Sequence, residues 1–183
     1  MEKWIFNPYT IKNRKQYYRF VTSGFIHRDT IHLLFNMFVF YMFGEYVERQ
    51  FVTLFGLVTG KVFFVLLYVG GIIISDIPTF FKYRNAPYYN ALGASGGVAS
   101  VLFSFVIFRP LDPLCLYGLP FLCFPGILWA LIYLIYSAYA SRKGLGNINH
   151  DAHLYGALFG ILLTLILYPP IVQIFIQQMK ELF

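Results

Sequence analysis

The chain has 183 residues, of which 58% are hydrophobic, 21% are aromatic and only 12% are charged. A soluble domain usually has about 25% charged residues, so this composition excludes an ordinary soluble fold. The net charge is +6, and the basic residues of the first 28 positions alternate with aromatic ones. This interleaving is more typical of anchoring at lipid headgroups than of nucleic-acid binding. We therefore predict an integral membrane protein that contacts membrane lipids and no nucleic acid.

Five apolar segments predict an all-α fold, a polytopic transmembrane helical bundle with about five spans. We place the spans at residues 31–46, 62–77, 91–108, 120–140 and 152–168, within a single domain of residues 1–183. A helix rises about 1.5 Å per residue, so about 18 to 20 apolar residues cross the hydrocarbon. Residues 51–60 are predicted to lie at the membrane interface. Pro169 and Pro170 end the last span, and the tail after them is predicted to be amphipathic.

The cysteine and histidine content argues against metal chemistry. Cys115 and Cys123 fall in one short stretch, and they indicate neither a disulfide framework nor a metal site. The chain has four histidines: His27, His32, His150 and His153. They are not part of an H-E-x-x-H helix, and we take Asp151 as their only candidate carboxylate partner. We therefore predict no metal site and no cofactor.

Polar residues inside membrane spans are costly, and by default they are candidates for function. Four stand out, each near the start of its span: His32, Asn36, Ser95 and His153. Successive spans alternate in direction, so the first, third and fifth spans begin on the same side of the membrane. We therefore expect these four side chains to lie at a similar, shallow depth.

Ser95 and His153 form a candidate pair of nucleophile and base. Ser95 lies in the sequence Gly93-Ala94-Ser95-Gly96-Gly97, where small residues allow close approach and a helix N-terminus offers free N–H groups. His153 precedes Gly156 and Gly160, a spacing that allows a neighbouring helix to pack closely. The alternative interpretations are a small-residue packing face for the serine segment and an interfacial histidine that reaches water.

His32 and Asn36 are four residues apart and so share one face of a helix. Two side-chain donors on one face could hold a developing oxyanion, together with the backbone N–H of Ser95. The alternative is that Asn36 hydrogen-bonds a neighbouring helix and serves packing alone.

Taken together, these residues resemble the rhomboid family of intramembrane serine proteases. The resemblance covers nearly the whole chain from Phe6 to Tyr168. It is carried by Tyr18-Arg19, His32-x-x-x-Asn36, Gly93-Ala94-Ser95-Gly96, and Ala152-His153 followed by Gly156-x-x-x-Gly160.

The resemblance implies a catalytic dyad of Ser95 and His153 in a water-filled cavity, with His32 and Asn36 assisting the oxyanion and no cofactor. It also implies transmembrane protein substrates and a location in the bacterial inner membrane, with the active site toward the outer face. The substrate's identity and the oligomeric state stay open.

Two features depart from the family pattern. Many rhomboids have an aromatic residue one turn after the serine, but here that position is Ala99, so we expect Phe103 or a backbone carbonyl to orient His153. The family's first helix also has no counterpart, since Met1–Phe25 contains no long apolar run. Either the sequence is truncated or begins late, or this member dispenses with the helix. We expect that an added span before Met1 would complete the core.

The distribution of basic residues conflicts with the orientation that the family implies. On the outer side that orientation places Lys3, Lys12, Arg14, Lys15, Arg19, Arg28, Lys82, Arg84, Arg142 and Lys143, and on the inner side Arg49, Lys61, Arg109 and Lys180. The positive-inside rule favours the opposite arrangement. Charge alone therefore does not fix the orientation.

The function we predict is a serine endopeptidase that cleaves transmembrane proteins within the membrane. One alternative is a catalytically inactive rhomboid-like protein that binds membrane clients, although the intact serine and histidine argue against it. A second alternative is a small transporter, but the sequence shows neither internal repeats nor the interrupted helices of that class.

Overall fold

The computed structural model describes residues 3–116, 119–144 and 148–181. Over these residues the chain forms eight α-helices, a short 3₁₀ turn and one antiparallel hairpin. The helices are α1 (Pro8–Arg14), α2 (Arg19–Thr22), α3 (Thr30–Phe55), α4 (Leu57–Tyr83), α5 (Ser95–Phe108), α6 (Gly126–Lys143), α7 (His150–Leu167) and α8 (Ile171–Lys180). The 3₁₀ turn, Ser23–Phe25, follows α2, and the strands β1 (Pro113–Leu116) and β2 (Leu119–Pro125) join α5 to α6.

Among the described residues, three helices are long and apolar enough to cross a membrane: α3, α4 and α7. Their outer surfaces expose large apolar side chains, which in water would be unfavourable; among them are Ile31, Leu34, Val58, Val65 and Ile166. The predicted helical membrane bundle is confirmed. The count of five spans stays a prediction, because α5 has only 14 residues and α6 ends in Arg142 and Lys143.

The helix α5 lies at the centre of the bundle and contacts α3, α4 and α7. Eleven of its 14 residues are buried, so its own neighbours rather than lipid surround it. It begins at Ser95, four residues later than the predicted span. The reason is that Ala91 pairs with Phe6 in an isolated β-bridge and Gly93 adopts a φ of +116°, neither of which is helical.

The helix α3 is longer than predicted and includes much of the segment that we expected at the interface. It runs without a break to Phe55, and Phe51 is fully buried. Gly56, with a φ of +83°, then turns the chain into α4. A Cβ at Gly60 would overlap the backbone of Phe51, so α3 and α4 cross closely at this turn. The first half of segment 51–60 thus continues α3, and its predicted position at the membrane interface stays a prediction.

The fourth predicted span began too early, and the two cysteines are bonded. Residues 120–125 belong to β2, and α6 starts only at Gly126. The hairpin register places Cys115 opposite Cys123, and the two form a disulfide. Residues that face each other across an antiparallel pair have their side chains on the same face, and in non-hydrogen-bonded pairs the Cβ atoms come close enough for this bond. The prediction that these cysteines form no disulfide was wrong, because it did not foresee the hairpin.

The N-terminal segment packs on the loop between α4 and α5. The Phe6 N–H donates to the Ala91 carbonyl at 3.0 Å, and the Ala91 N–H donates back to Phe6 at 2.9 Å. Asn7 is buried, and its amide donates to the carbonyls of Pro87 and Tyr89. The segment before α3 therefore fixes the loop that leads into Ser95.

Candidate active site

Ser95 is the first residue of α5, and the loop before it is held in a defined conformation. The Gly93 N–H donates to the Ser23 carbonyl at 3.0 Å, and the Ala94 N–H reaches His27 Nε2 at 3.5 Å. The positive φ of Gly93 is a conformation that other residues rarely adopt. Ser95 itself is half-buried, so its hydroxyl lies near the surface of the bundle rather than in its core.

The N-terminus of α5 supplies unpaired N–H groups next to Ser95. The Val98 N–H donates to the Ala94 carbonyl at 2.9 Å and is the first amide in the helical hydrogen-bond ladder. The amides of Ser95, Gly96 and Gly97 precede it and have no acceptor within the helix. Such amides, together with the positive end of the helix dipole, stabilise negative charge. The geometry suits an oxyanion formed at Ser95.

The helices α5 and α7 approach each other through glycine. A Cβ built on Gly156 would lie 2.9 Å from Gly96 Cα, and one built on Gly160 would lie 2.7 Å from Ser100 Cα. Neither position has room for a side chain. His153 lies three residues before Gly156 and hence about one turn nearer the start of α7, on the same face. Ser95 and His153 therefore occupy adjoining ends of two helices in direct contact.

The ring of His153 lies against Tyr133 of α6. The two ring centroids are 5.9 Å apart with planes inclined by 25°, a stacked arrangement. The expectation that Phe103 or a backbone carbonyl orients His153 stays a prediction, and Phe103 itself contacts Tyr133, at a centroid distance of 5.4 Å. Ala99 is buried in the apolar core, and Tyr133 packs against the same core. No local pattern marks this partner of His153, since Tyr133 is one of 15 tyrosines.

His32 and Asn36 lie on α3, and the ring of His32 is near the serine loop. A Cβ on Gly93 would lie 2.7 Å from His32 Cε1, so the ring packs directly over the residue two before Ser95. Asn36 is 4% exposed, and its Nδ2 donates to the His32 carbonyl at 2.8 Å. This bond uses one of its two amide hydrogens and leaves the other for a different acceptor.

His27 is a further residue of the site. From the sequence it was a candidate only for a metal ligand. Its ring lies 5.1 Å from that of His32, and its Nε2 faces the Ala94 N–H. Burial lowers the pKa of His27, and the nearby His32 lowers it further. The neutral imidazole that results can accept a hydrogen bond from the serine loop. His27 lies outside any helix, so no periodic pattern marked it.

A second polar cluster, missed in the sequence, joins α4 to the start of α7. Asp76 is 8% exposed, and Asn149 Nδ2 donates to its Oδ1 at 3.3 Å. Thr79 donates to Asn149 Oδ1 at 3.1 Å. Asp76 falls within the predicted span 62–77. A single acidic residue in such an apolar stretch indicates a candidate functional position, so the sequence does contain a signal for it.

The histidines form two pairs rather than one cluster. His27 contacts His32, and His150 contacts His153 with ring centroids 6.0 Å apart. Within the described residues no three His, Cys, Asp or Glu side chains converge as metal ligands do. Imidazole side chains such as these are the groups most often used for proton transfer in active sites.

Two curated proteins are similar to this chain. One is "Presenilin-associated rhomboid-like protein A, mitochondrial" of Danio rerio, 32% identical over 144 residues, which are 77% of this chain and 35% of that protein. The other is "Putative rhomboid protease YdcA" of Bacillus subtilis (strain 168), 31% identical over 150 residues, which are 81% of this chain and 66% of that protein. The chain thus spans about a third of the first relative and just under two thirds of the second.

The rhomboid domain family matches residues 14–170, a region that runs from the end of α1 to the proline pair after α7. It includes His32, Asn36, Ser95 and His153. The match therefore covers the helical bundle and every residue of the candidate site, and this membrane protein belongs to the rhomboid family.

Proposed function

We propose that this chain is an intramembrane serine endopeptidase in which Ser95 is the nucleophile and His153 the general base. The observation that carries the proposal is the contact between Gly96 and Gly156, because each is close in sequence to one member of the dyad. A serine and a histidine must approach within hydrogen-bond reach, about 2.6–3.2 Å, for the base to activate the nucleophile. The word protease in the name of the Bacillus subtilis relative supports the same activity.

The reaction follows from the chemistry of a serine and an imidazole. His153 takes the Ser95 hydroxyl proton as Oγ bonds to the carbonyl carbon of the scissile peptide, which gives a tetrahedral oxyanion. The C–N bond then breaks, and His153 returns the proton to the leaving amine. A water molecule, deprotonated by His153, hydrolyses the acyl-enzyme and regenerates Ser95. No cofactor takes part in these steps.

The oxyanion is stabilised by the N-terminus of α5 and by α3. The Ser95 N–H belongs to the first turn of α5, where no helical acceptor exists. The His32 ring packs over Gly93, and Asn36 keeps one amide hydrogen for a further acceptor. His32 and Asn36 are thus the side-chain donors that we assign to the oxyanion.

The substrates are transmembrane proteins whose helix unwinds locally at the scissile bond, since a peptide bond inside a helix is already hydrogen-bonded and hard to reach. The apolar outer surfaces of α3 and α4 fit a path from the lipid. We place the protein in the bacterial inner membrane with Ser95 toward the outer face. Labelling of a Ser141→Cys variant from each side of intact cells tests this orientation.

The test of the dyad uses purified protein in detergent, a fluorogenic transmembrane substrate and a fluorophosphonate probe. We expect Ser95→Ala to abolish both cleavage and labelling, and His153→Ala to lower both to background. Since dyad members act as a unit, the double variant should be scarcely worse than either single variant. Ser100→Ala is the matched control, because Ser100 is also on α5 but is fully buried.

Ser95→Ala that keeps more than about a tenth of parental cleavage contradicts the dyad, since triad and dyad knock-outs normally lose about 10³-fold or more. A parental protein that neither cleaves nor labels, yet folds and retains membrane proteins, contradicts the endopeptidase and favours a client-binding relative.

A further inference from the structure

A carboxylic acid lies inside the helix bundle beside the N-terminus of α7 and outside the proposed reaction. Asp76 is on α4, within a helix long and apolar enough to span the membrane, and it is 8% exposed. An ionisable residue at such a position is costly and needs a partner. Its hydrogen bond is to the Asn149 side-chain amide, at 3.3 Å.

Asn149 connects Asp76 to the backbone of the catalytic histidine. Its Oδ1 accepts from the Ala152 N–H at 3.2 Å and so caps α7. Its carbonyl accepts from the His153 N–H at 3.3 Å, which is the first bond of the helical ladder. One residue therefore bonds Asp76, the N-terminus of α7 and His153 itself.

Thr79 fixes the orientation of the Asn149 side chain. Its hydroxyl donates to Asn149 Oδ1, which leaves the amide nitrogen pointing toward Asp76. Both Thr79 and Asp76 are on α4, three residues apart and hence on one face. The bridge thus joins one face of α4 to the N-terminal turn of α7.

The other contacts of α7 do not by themselves fix how this helix is rotated about its axis. Gly156 and Gly160 fix how close α7 comes to α5, but glycines without side chains do not prevent α7 from rotating or sliding. A second connection, the ion pair of Lys82 and Asp151 at 2.9 Å, has a lysine whose side chain is 43% exposed. The Asp151 side chain is 12% exposed, but its lysine partner reaches solvent, and a pair with one exposed member constrains geometry less than a fully buried one. The buried bridge of Asp76 and Asn149 is better able to set the angle at which His153 faces Ser95.

We propose that Asp76 and Asn149 are positioning residues for His153. The inference rests on the proposed function, and it assigns them no contact with substrate. The carboxyl group of Asp76 acts as a hydrogen-bond acceptor for Asn149, and Asn149 transmits the constraint through its cap and its carbonyl to the first turn of α7. The expected signature is a fall in kcat with little change in KM, since substrate contacts remain.

The first test compares two substitutions of nearly equal size. Asp76→Asn keeps an acceptor for the Asn149 amide, and we expect it to retain kcat within about threefold. Asp76→Leu removes the acceptor, and we expect kcat to fall about tenfold or more, because a small misplacement of a catalytic group can cost about 10² in rate. Asp76→Leu also leaves the Asn149 amide unpaired, which lowers stability, so the thermal midpoint is measured beside kcat and only the folded fraction is compared.

The second test acts from the other side of the bridge. Asn149→Ser retains a capping oxygen for α7 but is too short to reach Asp76, so we expect the same fall in kcat. Thr164→Val is the matched control. It removes the buried hydrogen bond between Thr164 and Ser104, at 2.8 Å, which also joins α7 to a neighbouring helix but lies three turns beyond His153. We expect it to lower the thermal midpoint without lowering kcat comparably.

A readout independent of activity separates this inference from the proposed function. Hydrogen exchange at the amides of Ala152 and His153 should be faster in Asp76→Leu and Asn149→Ser than in the parent or Asp76→Asn. The inference is overturned if both bridge variants keep parental kcat, if Asp76→Asn falls as far as Asp76→Leu, or if Thr164→Val loses as much kcat at equal stability. A parent without Ser95-dependent cleavage refutes the proposed function instead, and exchange then still decides whether the bridge orders α7.

Discussion

The ring of Tyr133 stacks on that of His153, with centroids 5.9 Å apart and planes inclined by 25°. Tyr133 is in turn packed against Phe103 of the central helix, at 5.4 Å. The ring that supports the histidine therefore comes from α6, and Phe103 contacts this ring in turn. An aromatic face beneath an imidazole limits its rotation about χ2 and stabilises the charged ring that forms during catalysis.

We expect Tyr133→Phe to keep near-parental kcat, because the stacked ring remains. Tyr133→Leu should lower kcat about tenfold with a smaller effect on KM, since a loosely held base is misplaced for part of the time. Tyr139→Leu is the control, as Tyr139 is on the same helix but is 55% exposed. Equal loss in Tyr133→Phe and Tyr133→Leu would show that the hydroxyl rather than the ring is needed.

The contact of α5 with α7 predicts that even alanine is too large at the glycine pair. Gly156→Ala and Gly160→Ala should each lower the thermal midpoint, because a Cβ would overlap the backbone of Gly96 or Ser100. Overpacking of this kind costs about 1–3 kcal/mol. Gly156→Ala should also lose about 10²-fold in kcat, since the strain falls beside the dyad.

Gly126→Ala is the matched control for these substitutions. Its Cβ would meet its nearest neighbour, Leu114 Cδ1, at an ordinary 3.5 Å. Thermal unfolding and cleavage are measured on all three variants. If Gly156→Ala and Gly160→Ala behave like Gly126→Ala, then α7 is free to move away from α5 without loss.

The sequence predicted the site's helices better than it predicted their lengths. His32, Ser95 and His153 stand near helix starts as expected, because Asp29 and Asn149 cap two of those helices within the local sequence. The predicted first span stopped at Tyr46, where charges begin. The helix continues to Phe55 because those charges lie on its exposed side.

The bridge of Asp76 and Asn149 was out of reach of sequence analysis for another reason. The two residues are 73 positions apart, and no local pattern says that α4 brings one beside the other. The same holds for Tyr133 and His153. Periodicity identifies which face of a helix is apolar, but it does not identify the partner of a polar residue on that face.

The oxyanion assignment predicts a specific kinetic effect. His32→Ala and Asn36→Ala should each lower kcat by up to about 10²-fold, as expected when one preorganised donor is lost. KM should change less, because a donor to the transition state contributes little to ground-state binding. Asn13→Ala is the control, since that exposed amide bonds only the Tyr9 carbonyl within its own helix. If these variants lose stability but keep kcat, His32 and Asn36 serve packing and do not stabilise the oxyanion.

The low pKa of His27 predicts that stability falls in mild acid. Burial, and then the neighbouring His32, lower the pKa of His27 below its usual value of about 6.5. The folded protein therefore binds fewer protons here than the unfolded chain does. The stabilisation is fully present above the unfolded pKa and is lost as the pH falls through the folded pKa. Protonation also removes the acceptor that faces the Ala94 N–H, and Ala94 directly precedes Ser95, the first residue of α5.

The measurement is the thermal midpoint of the parent and of His27→Gln across about pH 8 to 5, where an ordinary histidine titrates and an ordinary aspartate does not. Glutamine can still accept from Ala94 but carries no charge, so its midpoint should fall less over this range. The titratable and charged neighbours of His27 are His32, whose ring contacts it, and the ion pair of Arg28 with Asp29, which follows it in sequence. The pKa of Asp29 is lowered by the His32 backbone N–H and by Arg28, so Asp29 titrates only below this window. Parallel curves for parent and His27→Gln would mean that His27 does not carry the acid sensitivity.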